Sequence, residues 1–99
     1  MYEATSAFAY ESVTVADSAI GLTVTTFDPG DAPCAERALV SVETAQIRYQ
    51  YDGTDPTSSV GHVAEPGDLI ELDGNQNIRN FAAIRTGAVS ATLRVTYER

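Results

Sequence analysis

Residues 37–56 read RALVSVETAQIRYQYDGTDP. In the first half Ala38, Val40 and Val42 share one phase, with Leu39, Ser41 and Glu43 opposite. In the second half Ile47, Tyr49 and Tyr51 alternate with Gln46, Arg48 and Gln50. Successive side chains of an extended chain point to opposite sides, so this alternation lets each run bury one face and wet the other. Both halves therefore read as half-buried strands. The join Glu43-Thr44-Ala45 is short enough for a hairpin or for a kinked continuation. Asp52-Gly53-Thr54-Asp55-Pro56 ends the pair with turn chemistry: Asp bonds its own downstream backbone, and Gly takes positive φ at little cost.

Downstream, Thr57–Val63 predicts an extended or weak edge segment. Glu65-Pro66-Gly67-Asp68 predicts a turn of type II, because Pro presets the second position and Gly accepts the positive φ of the third. Leu69–Leu72 is a short strand ended by Asp73-Gly74-Asn75, and Gln76–Asn80 is one helical turn or a loop around Ile78. Phe81–Thr86 is a further strand, broken by Gly87. In Ser90–Glu98 the residues Ala91, Leu93, Val95 and Tyr97 alternate with Thr92, Arg94, Thr96 and Glu98 without exception. That is an antiparallel strand with one face buried.

Upstream, Thr5–Val15 carries Phe8 and Tyr10 on one phase and Val13 and Val15 on the other, which predicts a β-bulge or two short strands. Ile20–Thr26, with Ile20, Leu22 and Val24 on one side, predicts another half-buried strand. Phe27–Glu36, FDPGDAPCAE, is a surface loop. About seven strands separated by turns, with no helical period, indicate an all-β domain: a small antiparallel sandwich, jelly roll or barrel. Ninety-nine residues suit one such domain.

Fourteen carboxylates oppose six arginines and no lysine, a formal net charge of −8. The stretch through Glu36 has six acids and no base. Binding to a phosphate backbone or an anionic bilayer is driven by basic side chains, so nucleic acid and membrane are disfavoured as partners. The acidity serves solubility. The single cysteine, Cys34, forms no intrachain disulfide and lies among acids, which suits a partly buried small residue better than a reactive thiolate. The N-terminal residues lack the basic and apolar regions of a signal peptide, and no run approaches a membrane span. Synthesis and folding in a cytoplasm are expected.

No motif carries catalytic chemistry. His62 is the only histidine and reads as a loop residue that packs or bonds locally. Asp28 with Asp31, and Asp52 with Asp55, lie in turns where carbonyl oxygens could join them around Ca²⁺, but the EF-hand pattern is missing and Asp as turn former is the simpler reading. Of the five tyrosines, Tyr10, Tyr49, Tyr51 and Tyr97 fall on apolar phases, which assigns them to the core or its rim. Arg48, Arg85 and Arg94 read as outward, free to pair with acids of a neighbouring copy. No cofactor and no metal are expected, and nothing in the pattern argues for an enzyme.

The order ALVSVETAQIRYQYDGTDPTSSVGH, then PGDLIEL, then FAAIRTGAVSATLRVTYE, resembles small virion-associated proteins that tailed bacteriophages encode near their capsid genes. In these a V-S-V-E-T strand leads to an R-Y-x-x-D-G-T-x-P-T turn, a P-G-D turn starts another strand, and I-R-x-G-x-x-x-A-x-L-x-V-x-Y closes the chain. The resemblance covers residues 37–99, with residues 1–36 as a variable strand-and-loop part. It implies a non-enzymatic capsid decoration, or cement, protein in the virion head. Such a protein binds the major capsid protein from outside, as a homo-oligomer with a trimer favoured. On that reading Tyr2, Phe8, Tyr10, Asp28, Asp31, Glu36 and Arg48 are the candidate contact residues. The alternatives are a neck- or tail-associated β domain, and a carbohydrate- or calcium-binding module.

Overall fold

The structure, a computed structural model, describes residues 5–99. Its strands in chain order are β1 (Ala7–Val15), β2 (Ile20–Gly21), β3 (Arg37–Glu43), β4 (Ile47–Gln50), β5 (His62–Ala64), β6 (Leu69–Asp73), β7 (Ala82–Arg85) and β8 (Ala91–Glu98). Two short helices, α1 (Val24–Phe27) and α2 (Asn75–Asn80), follow β2 and β6. The strands form two four-stranded sheets, ordered β1-β8-β3-β6 and β2-β7-β4-β5, with every pairing antiparallel. First pairs with last, second with seventh, third with sixth and fourth with fifth. The chain is thus a long hairpin whose tip is residues 51–61, rolled so that β3 also meets β8 and β4 also meets β7. That is the jelly-roll arrangement.

The first sheet supplies most of the core. Ala91, Leu93, Val95 and Tyr97 on β8 are all completely buried, as are Ala38 and Val40 on β3, with Val42 nearly so. Each such Val or Leu contributes roughly 1.5–3 kcal/mol of burial relative to exposure. The register explains how the largest side chain fits. Tyr97 stands between Ala9 and Ala38, and these two small neighbours leave room for its ring. The ring packs against Phe27 of α1, with centroids 5.8 Å apart. Phe27, Ile78 of α2 and Phe81, each essentially buried, plug this end of the sandwich.

Four turns cross between the sheets at the opposite end. Glu65–Asp68 is the type II turn expected, with Gly67 at φ 97° and the Asp68 amide donating to the Glu65 carbonyl at 2.9 Å. Thr44 is the corner between β3 and β4. Its φ is 81°, and the Ala45 amide bonds back to the Glu43 carbonyl at 3.0 Å, so the join is a three-residue turn that sends the chain into the other sheet.

Three expectations need correction. Ile20–Thr26 is not a strand: pairing stops after Gly21 and a single helical turn follows. The cause is Glu11 of β1, whose carboxylate accepts the Thr23 amide at 3.1 Å and the Thr23 hydroxyl at 2.6 Å, fixing the bend that swings Phe27 into the core. Tyr10 is not on the buried phase. The register shift between Ala7 and Ala9 places the bulge at Phe8, leaving Glu11, Val13 and Val15 facing inward and Tyr10 outward, 57% exposed. Arg85 is not outward either, since it stands opposite Ile47 on the inner phase of β7.

Candidate functional site

The six candidate contact residues that fall among the described ones separate into two groups; Tyr2 lies outside the described residues. Phe8 and Tyr10 are on β1, the edge strand of the first sheet. The Arg99 guanidinium lies 4.1 Å above the Phe8 ring and also donates to the Pro33 carbonyl at 3.1 Å, so it fastens the loop after α1 to the start of β1. The Tyr10 hydroxyl accepts from Arg94 at 3.2 Å. Asp28 is ion-paired with Arg79 of α2, Asp31 is exposed, and Glu36 is tied by its backbone to Glu98 and Gly74. The candidates Phe8, Asp28, Asp31 and Glu36 thus cluster at the plugged end. Arg48 does not join them. It belongs to β4 of the second sheet, where it donates to the Ser58 and Gly61 carbonyls at 3.1 and 2.8 Å and pins the hairpin tip.

All six arginines have partners within the chain. Besides those named, Arg37 meets Glu71 at 3.0 Å, Arg85 donates to the Ser90 hydroxyl at 3.2 Å, and Arg94 meets Glu43 at 3.1 Å. Exposed pairs of this kind contribute about 0–1 kcal/mol each. Their larger consequence is electrostatic, because the acids outnumber the cations and no guanidinium is left to form a basic patch.

A separate cluster, with none of the candidate contact residues in it, arises where β4 runs past the core. Tyr49 is half-buried and packs on Phe81, with centroids 5.7 Å apart and rings 30° from parallel. From there the aromatic stack continues outward to His62, 5.4 Å from Tyr49, and to Tyr51, 6.2 Å from His62. Gly61 permits this approach. Its φ is 127°, and a Cβ there would stand 3.1 Å from the Tyr49 carbonyl oxygen and 3.2 Å from Pro56. Gln50, Tyr51, Asp52 and His62 line a shallow depression of about 270 Å³.

Asp52 is fixed at its rim. One carboxylate oxygen accepts both the Thr54 hydroxyl, at 2.6 Å, and the Thr54 amide, at 3.1 Å. These bonds, the hydroxyl's first, hold the carboxyl below its usual range, and the nearby His62 acts in the same direction. Burial, with smaller effects of Tyr51 and Asp68, raises the Tyr49 phenol above its ordinary value and keeps it neutral. The arrangement offers ring faces, a fixed anion and an amide side chain around one space. By its sequence Tyr51 belongs to the core or its rim, His62 to a loop and Asp52 to a turn; His62 instead opens β5. The signal that joins them is positional: Tyr51 and His62 flank the hairpin tip on the same inward phase, beyond the last buried pair.

Among the described residues no group of three or more His, Cys, Asp or Glu side chains is placed to share a metal ion, and no helix is long and apolar enough to cross a membrane. Asp52 serves as turn former and Asp28 as an ion-pair partner. Cys34 is a half-buried free thiol. No protein-family model, curated protein or solved structure matches the chain.

Proposed function

We propose that this chain is a non-enzymatic structural protein of a tailed-phage virion, a decoration protein bound to the outside of the head. Its partner would be the major capsid protein, and its working form a homo-oligomer, with a trimer favoured. The observation that carries this reading is how the chain divides between the sheets. Residues 37–99, which bear the resemblance to phage virion proteins, build β3 to β8. Residues 5–36 contribute one edge strand to each sheet. A variable segment laid along the edges can change its partner without disturbing the interior. β1 is nine residues long and has no strand on its outer side among the described residues. A free edge of that length is a template for main-chain pairing with another subunit. The acidic surface, with its arginines engaged internally, agrees with a protein partner rather than nucleic acid.

The test is the copy number of this chain in purified particles, by quantitative mass spectrometry against the major capsid protein. A ratio near one, as symmetric coverage of a shell requires, is the expected result. A small fixed number per particle would place the protein at the neck or tail and overturn decoration. Absence from particles would overturn the virion reading.

A further inference from the structure

We propose that the depression formed by Tyr51, His62, Gln50 and Asp52 is a receptor for an arginine side chain of a partner protein. The inference stands on the chemistry of the depression and is independent of the virion reading. Tyr51 is 43% exposed although it occupies the inward phase of its run. An aromatic ring left uncovered beside a second exposed ring, on a backbone anchored through Tyr49 to Phe81, is a rigid surface. It presents π faces at little further ordering cost.

Three features select a guanidinium. The faces of aromatic rings attract cations, and a planar guanidinium also stacks on them. Asp52 commits one oxygen to Thr54, and among the described residues no other residue donates to its carboxylate, so an anion stands ready at the rim. Gln50 adds an amide carbonyl beside it, whose nitrogen makes only a long contact of 3.4 Å to the Asp55 carbonyl. A guanidinium carries five N–H donors in a plane and can satisfy both acceptors while stacking. A quaternary ammonium has no donors for either acceptor. A lysine ammonium is a compact, strongly hydrated charge that does not stack, and a neutral sugar gains nothing from the charge of −8. Each of the six arginines has a partner elsewhere, so no guanidinium of the described residues occupies the depression.

The test uses the full-length, isotopically labelled chain, titrated with N-acetyl-argininamide and followed by amide NMR. N-acetyl-lysinamide and methyl glucoside serve as comparison ligands. Saturable shifts confined to Gln50, Tyr51, Asp52, His62 and their neighbours are expected. The arginine derivative should bind at least about five-fold tighter than either comparison ligand. Asp52→Asn keeps the acceptor for Thr54 but removes the charge, and Tyr51→Ala removes a ring. Each should weaken binding by about five-fold or more, whereas Tyr51→Phe retains it. Absence of saturable shifts, equal binding of lysinamide or glucoside, or an Asp52→Asn variant that binds arginine undiminished would each overturn the proposal.

Discussion

The two sheets of this sandwich are built to different standards. β1, β8, β3 and β6 have nine, eight, seven and five residues, whereas β2, β7, β4 and β5 have two, four, four and three. In the first sheet the alternation runs the length of each central strand, and its inward side chains are sealed. In the second only Ile47, Ala64 and Ala83 are sealed at the heart, and the inward phase continues past the core into Tyr49, Tyr51 and His62 at the surface. One sheet supplies stability; the other holds a surface against it. Strands that end early leave inward-phase side chains without a roof, and that is how a jelly roll of this size acquires an aromatic ledge.

The sharpest way to break this comparison is to truncate one large side chain in the first sheet and one on the ledge just past the end of β4. Leu93→Ala, in the middle of β8, is expected to cost about 2–5 kcal/mol, the transfer loss plus an unfilled cavity. Tyr51→Ala should cost less than about 1 kcal/mol, because half-exposed surface residues away from special geometry contribute little. Chemical denaturation measures both, and equal losses would mean that the second sheet carries as much of the fold as the first.

Glycine substitutions at the hairpin tip come next and separate crowding from strain. Gly61→Ala must both adopt a positive φ and push aside the Tyr49 carbonyl and Pro56, so about 2–4 kcal/mol is expected. At Gly53, φ 97°, a Cβ would meet only Asn80 at an ordinary 3.8 Å. Gly53→Val should therefore cost the strain alone, about 1–3 kcal/mol. A melting temperature unchanged by Gly53→Val would remove the tight turn at Asp52-Gly53.

Tyr97 links the first sheet to the plug, and alkaline pH reads it. Burial, and then the bond its hydroxyl donates to Glu11, raise the phenol well above its ordinary value. The folded state thus keeps a proton that the unfolded state releases. The resulting stability is complete below about pH 10 and falls as pH rises above it, by about 1.4 kcal/mol per pH unit for one proton. Tyr97→Phe should lessen that slope by one proton's worth while costing about 1 kcal/mol at neutral pH, where Glu11 loses a donor. An undiminished slope would show that other groups cause the alkaline loss. The smallest effect is expected at the corner between the sheets. Thr44→Gly relieves the strain of φ 81° but loosens the unfolded chain, for a net gain of about 0.5–1 kcal/mol in thermal denaturation.

β3, β6 and β8 are legible in the sequence because one buried face imposes period two on every residue, whereas β7 has two adjacent buried alanines and no alternation to fix its phase. The Pro-Gly and Asp-Gly turns are legible because few residues accept their φ values. β5 is harder to read: a three-residue edge strand with only Ala64 buried leaves no periodic trace. The turn at α1 is invisible locally because Glu11, twelve positions away from Thr23, decides it. Tyr10 misleads because a single bulge at Phe8 inverts the phase of the residues before it. Sheet order and the aromatic ledge depend on pairings across the whole hairpin, and alternation says nothing about which strand lies beside which.

Native-state hydrogen exchange tests the division between the sheets most directly. If the first sheet holds the fold together, the amides of Val40, Val42, Leu93 and Val95 exchange only through global unfolding. Those of Arg48, Tyr49 and Val63 then exchange through smaller, local openings. Protection at Tyr49 and Val63 equal to that at Leu93 would contradict the account, because the ledge would then be part of the same cooperative core.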